Sequence, residues 1–112
     1  MTTNLQYKDC IEACIHTLNA CNICYVSCLK EYDIVELRDC ITLTRECAEA
    51  SSFAAEAMTR MSQYSADIVS VLIRICEDCA EECEKHEHAH CKECAESCRR
   101  CAEICREMCC VA

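Results

Sequence analysis

The chain is 112 residues long, carries a formal net charge of −9 and contains neither glycine nor proline. That length suits one small domain spanning 1–112, and the charge lacks the positive footprint that nucleic acid or an anionic membrane surface requires. Glycine and proline punctuate turns and hairpins, so their absence removes the usual turn chemistry of a β-fold and the Gly-rich loops that cradle phosphates.

What remains reads as all helix. The first helix is predicted from about Asn4 to Lys30, with Thr3 and Gln6 as a capping box. The second starts after Asp33, where Asp33 and Glu36 repeat that signature, and continues to about Met61. The third runs from about Gln63 to Lys85 with Ser62 as its cap, and the fourth from about His88 to Cys110. The connections at Glu31–Asp33, Ser62 and His86–Glu87 are very short. Short links make antiparallel neighbours, which predicts an all-α, up-down-up-down four-helix bundle.

Its core is predicted to be lined with cysteine, of which the chain has 17. At about 100° per residue, Cys10, Cys14, Cys21, Cys24 and Cys28 fall within roughly an 80° arc of the first helix. Cys91, Cys94, Cys98, Cys101, Cys105 and Cys109 form a similar stripe on the fourth, while Cys110 lies about 120° off it. The second helix adds Cys40 and Cys47, the third Cys76, Cys79 and Cys83. An odd count fits a closed disulfide framework poorly. No basic segment with an apolar stretch follows Met1, and no apolar run approaches a membrane span. The expectation is a cytoplasmic chain without a membrane segment, in a compartment that keeps thiols reduced.

Antiparallel threading makes the two ends of the bundle different. One end collects Cys24, Cys28, Cys40, Cys79, Cys83, Cys91 and Cys94, with His86, His88 and His90 at the same mouth. The other takes Cys10, Cys14, Cys105 and Cys109, plugged by Ala54, Met58, Met61, Val69 and Leu72.

Pairs such as Cys10/Cys14, Cys24/Cys28, Cys79/Cys83, Cys94/Cys98 and Cys101/Cys105 stand four residues apart on one helix face. Each pair can clamp an ion between two sulfurs without unwinding the backbone. Soft thiolates select Cu(I), zinc or Fe–S clusters. Zinc asks for closed tetrahedra, whereas a continuous ladder suits multiple Cu(I) ions per chain. Cysteine also packs as a small hydrophobe, but Leu, Val or Ile would pack as well without the risk of oxidation. The three clustered histidines favour uptake and release of metal at their end. His16, off the stripe, reads as surface, and Met58 and Met61 as core filler. No thiol is set apart from the others as a nucleophile would be, so no enzyme is expected. A zinc- or redox-buffering thiol protein is the alternative, and a metal-free interaction module comes third. A second apolar row, Ile11, Ile15, Leu18, Tyr25 and Leu29, widens the contact face of the first helix or marks an oligomer interface.

The runs Asp9-Cys10-Ile11-Glu12-Ala13-Cys14, Ala20-Cys21-Asn22-Ile23-Cys24, Arg45-Glu46-Cys47-Ala48 and Ile75-Cys76-Glu77-Asp78-Cys79 with Cys83 carry a family likeness. Lys85-His86-Glu87-His88-Ala89-His90-Cys91 running into Cys94 is its most specific part. Over nearly its whole length the chain resembles the cytosolic branch of the bacterial copper storage proteins, Cys-lined four-helix bundles. The resemblance implies Cu(I) on the Cys-x3-Cys pairs, admission through the histidine mouth and assembly as a homotetramer. Thr17, Ser51, Val69 and Leu72 stand where comparable members tend to carry cysteine, which predicts a lower metal content toward the plugged end.

Overall fold

The structure is a computed structural model that describes residues 7–109. It contains α1 (Lys8–Leu29), α2 (Arg38–Thr59), α3 (Ser65–Glu84) and α4 (Ala89–Cys109), and no strand among the described residues. Helix α1 packs on α2 and α4, and α3 packs on the same two neighbours. That is the expected antiparallel square. Among the described residues no helix is long and apolar enough to cross a membrane.

The helices form because their spacers are good formers. Ala, Glu, Leu, Lys and Arg separate the cysteines, and nothing in the chain breaks a helix. Their starts differ from the capping expected. The residues preceding α1, α2 and α3 are Tyr7, Leu37 and Tyr64, none making a side-chain cap bond. Asp9, Asp39 and Asp67 in the first turns instead oppose the positive end of each helix dipole.

Asp33 does not cap α2. Residues 33–38 form a run of i→i+3 turns, with Glu36 N–H to Asp33 C=O at 3.0 Å and Leu37 N–H to Ile34 C=O at 3.0 Å. The helix begins after Leu37, whose fully buried side chain anchors the turn to the core. Ser62 accepts from Tyr64 N–H at 3.1 Å, so it organises the turn before α3 rather than its first helical residue. The Thr3/Gln6 box and Cys110 lie outside the described residues.

The α2–α3 link shows what a chain without glycine does at a tight turn. Ser62 N–H bonds Ala57 C=O at 2.9 Å and Met61 N–H bonds Met58 C=O at 3.1 Å, the two bonds of a Schellman closure. That closure puts its penultimate residue in the left-handed region, where Met61 sits at φ 55°. Met61 is half exposed. It therefore does not plug the core as expected; it terminates a helix. A Cβ in this conformation costs roughly 1 kcal/mol. Met61→Gly should raise the stability of the reduced, metal-free protein by about 0.5–1 kcal/mol, measured by chemical denaturation.

Candidate metal centre

Every inward position from Cys10 to Cys105 that carries cysteine is buried to 0 or 1% exposure, and each of these residues is a free thiol. The stripes read from helical periodicity therefore converge. Nearest the histidines, Cys40 Sγ stands 3.3 Å from Cys83 and 3.9 Å from Cys28 and from Cys91. Cys24 stands 3.8 Å from Cys28 and 3.9 Å from Cys91. One level deeper, Cys21 approaches Cys94 at 3.6 Å and Cys98 at 3.9 Å. Cys47 meets Cys76 at 3.7 Å and Cys98 at 3.8 Å. In the far half, Cys101 and Cys105 are 3.9 Å apart, with Cys14 in the same group and Cys10 bonded to Cys105. The Cys109 side chain lies outside the described residues.

These distances suit shared metal. With a metal–sulfur bond of about 2.3 Å, two ligands of one ion stand about 3.8 Å apart in a tetrahedron, about 4.0 Å in a trigonal plane and about 4.6 Å on a line. The sulfurs of Cys21/Cys79/Cys94/Cys98, Cys24/Cys28/Cys40/Cys91, Cys24/Cys83/Cys94 and Cys14/Cys101/Cys105 each lie within 4.8 Å of one another. Cys24 and Cys94 both belong to two groups. Adjacent sites thus overlap on single sulfurs.

The thiols cannot all ionise together in so dry a space. Cys40 is pulled down to about 3 because the Cys24 and Cys83 thiols bond to its sulfur. Cys94 is lowered by bonds from Cys21 and Cys24, Cys47 by bonds from Cys21 and Cys76, and Cys101 by bonds from Cys105 and Cys14. The donors move the other way. Cys24 is raised by its bonds to Cys40 and Cys83, Cys76 by its bond to Cys101. Burial, then the Cys40 charge, raise Cys91, and the same causes push Cys28 up to about 11. The pattern is one of lowered thiols, each set among neighbours that are raised.

The three histidines are not equivalent. His90 Nδ1 lies 3.3 Å from Cys24 Sγ and 3.7 Å from Cys91 Sγ, while its Nε2 donates to Glu31 Oε2 at 2.8 Å. In the neutral ring that carboxylate bond selects the Nε2–H tautomer, which turns the Nδ1 lone pair toward the sulfurs. His88 stacks on His90 with ring centroids 5.2 Å apart. Its Nε2 lies 3.0 Å from Asp33 Oδ1 and its Nδ1 3.3 Å from Glu31 Oε2. His86 turns instead to Glu82, at 2.9 Å on its own helix end. Glu31, His88 and His90 therefore form a further compact group, which His86 does not join. Sequence reasoning missed Glu31 and Asp33 by treating them as linker and cap. The usable signal was topological, since the α1–α2 and α3–α4 links of an up-down bundle lie at the same end.

At the opposite end Ala54, Met58, Val69 and Leu72 are buried as expected. Ser51 is buried among them at 0% exposure, and its hydroxyl has no hydrogen-bond partner.

Thiols at this density, kept reduced and within bonding reach of shared ions, define a protein that holds soft metal ions in number. The family model described as copper storage protein matches residues 3–110. The chain belongs to that family. It is 46% identical over 104 residues to the cysteine-rich protein YhjQ of Bacillus subtilis, covering 92% of this chain and 96% of the relative. The Cu(I)-bound copper storage protein BsCsp3 superposes with a TM-score of 0.90 at 44% identity, covering 93% of this chain and 98% of the other. A cytosolic copper storage protein from Streptomyces lividans, loaded with five coppers, gives a TM-score of 0.92 at 29% identity over 99% and 98% of the two chains.

The unbonded Ser51 hydroxyl carries a desolvation cost that alanine would not. Ser51→Ala should stabilise the metal-free bundle by about 1 kcal/mol, seen as a raised thermal midpoint under reducing conditions.

Proposed function

We propose that this chain stores Cu(I) in the cytosol, several ions at a time, on the thiolates of Cys10, Cys14, Cys21, Cys24, Cys28, Cys40, Cys47, Cys76, Cys79, Cys83, Cys91, Cys94, Cys98, Cys101, Cys105 and Cys109. The observation that carries the reading is the overlap of neighbouring sulfur groups at Cys24 and Cys94. A thiolate shared by two sites bridges two ions, and soft, low-coordinate Cu(I) tolerates bridging and variable occupancy. The cytosolic description of the Streptomyces relative supports the same compartment here, and storage, not catalysis, is the family's role.

Uptake and release are assigned to the histidine end. His90 presents its Nδ1 beside Cys24, Glu31 orients it, and His88 stacks behind it. We include His86 and His88 as collar residues that meet the ion before the sulfurs do. A homotetramer is the assembly implied by the family resemblance. Ile23, Val26 and Leu29, all exposed on α1, offer apolar surface for it.

Zinc is the second reading, favoured by the two four-sulfur groups. Anaerobic titration of reduced protein against a chromophoric chelator separates the two. Storage expects tight uptake of well more than about four Cu(I) per chain, since sixteen thiolates used four at a time, as closed zinc sites use them, hold only about four ions. Saturation at one or two ions, or a preference for zinc in a parallel titration, rejects it. Replacing Cys24, Cys28, Cys79 and Cys83 by serine removes members of three of the four sulfur groups and should cut the Cu(I) end point heavily. An unchanged end point would remove those residues from the store.

The pH dependence has a definite sign. Cys21, Cys24, Cys76 and Cys91 are raised and hold their protons at neutral pH, so ions binding there must expel them. Apparent Cu(I) affinity should fall as pH falls, by about a factor of 10 per pH unit for each proton displaced. Competition with the same chelator at several pH values measures the slope.

A further inference from the structure

The seam between α1 and α4 is indented from the outside. Two crevices of ≈ 940 and ≈ 630 Å³ run along it and share His16, Ser97 and Arg100. The larger reaches His90 at the histidine end and the smaller reaches Cys101. Cys101 is 1% exposed, where the other described cysteines are at 0%. Exposed His16 holds its Nδ1 2.9 Å from Ser97 Oγ. Ser97 Oγ in turn lies 3.1 Å from Oγ1 of fully buried Thr17, which donates to the Ser97 carbonyl at 3.2 Å. A polar chain therefore enters the wall of the tube, and His16 and Cys101 line the same crevice.

That group is hard to reach from the mouth. At 1.5 Å rise per residue, Cys105 lies about 21 Å along α4 from Cys91. Thr17 interrupts the α1 ladder, leaving about 10.5 Å of rise between Cys14 and Cys21. An ion admitted only at the histidine end must traverse every intervening level before it meets Cys14, Cys101 and Cys105.

We propose that the α1–α4 seam is a second point of access for Cu(I), in which His16 binds an incoming ion and passes it to Cys101. The proposal rests on the Cu(I) storage reading. Imidazole is a good copper ligand, whereas the hard hydroxyls of Ser97 and Thr17 are poor partners for a soft ion. They position His16 and close the seam rather than bind metal. The transfer is a ligand exchange. Cys101 sulfur replaces the His16 nitrogen on copper, any thiol proton leaves to the water of the crevice, and copper stays Cu(I). From Cys101 the ion joins the sulfurs of Cys14 and Cys105, all within 4.8 Å of one another.

The test mixes reduced full-length protein anaerobically with Cu(I) held by glutathione. Loading is followed by thiolate-to-copper absorbance, and final content is read with a chromophoric chelator. The loading phase of the far group is the one that disappears in a Cys14→Ser/Cys105→Ser variant. In His16→Leu and His16→Gln that phase should slow several-fold while the final content is unchanged. Glutamine keeps the polar contact to Ser97 but is a poor Cu(I) ligand, so a merely structural His16 would be rescued by it. Wild-type rates in His16→Gln overturn the proposal and leave storage standing. A lowered final content makes His16 a storage ligand and also overturns it. A wild-type chain that takes up only one or two ions overturns storage and the second access point together.

Discussion

The close approach of facing helices governs the rest of this molecule. Sulfurs meet across the seams at 3.3–3.9 Å, at or near van der Waals contact. A leucine or isoleucine at the same inward positions would push the helices apart and leave the sulfurs out of mutual reach. The packing confirms this by exception. Among the described residues the largest fully buried side chains are Leu37, Met58, Leu72 and Val69. Leu37 sits at the histidine end and the other three at the opposite end. Between them the fully buried core is made of cysteine, alanine and a few hydroxyl residues, so the metal-free bundle keeps a compact interior while its ligands already stand at ion-sharing distances.

Crowded thiols solve an electrostatic problem collectively. An isolated thiolate in a dry core is strongly disfavoured, yet Cys40, Cys47, Cys94 and Cys101 are lowered because neighbouring thiols donate to them. These four are distributed along the tube, each among neighbours whose thiols are raised. An ion that binds among them must expel the protons of the raised thiols. The same low-dielectric surroundings that make unpaired charge costly make each completed metal–thiolate unit, with its charge partly neutralised, easier to keep.

The core was legible in the sequence because burial here is periodic. Stripes at three- and four-residue spacing report helix faces directly, and short links report antiparallel neighbours. The collar was not legible in full, because it is made by two connections distant in sequence that meet only when the bundle closes. His88 and His90 were singled out by their own clustering, but Glu31 and Asp33 look like ordinary linker acids until α1 and α4 are placed side by side. Helix ends failed for a related reason. Capping signatures describe local hydrogen bonding, and at Asp33 a tertiary partner, His88, claims the carboxylate instead. His16 read as surface, and exposed it is; its bond to Ser97 depends on register between two helices that no local pattern encodes.

The two ends of the tube differ in a way that follows from these same rules. At the histidine end, imidazole and carboxylate groups are only part-buried and the sulfurs stand directly beneath them. At the other end α2 and α3 contribute Ala54, Met58, Val69 and Leu72 in place of thiols, and only α1 and α4 continue the sulfur line. The group at Cys14, Cys101 and Cys105 therefore shares no sulfur with another group, whereas Cys24 and Cys94 link the groups nearer the collar. The apolar plug restores in packing what the missing ligands subtract in coordination. It supplies apolar side chains that hold four helices together independently of metal, at the end with the fewest facing sulfurs. The orphan hydroxyl of Ser51 marks the boundary between the two regimes, polar enough to belong to the ladder and yet placed where nothing bonds to it.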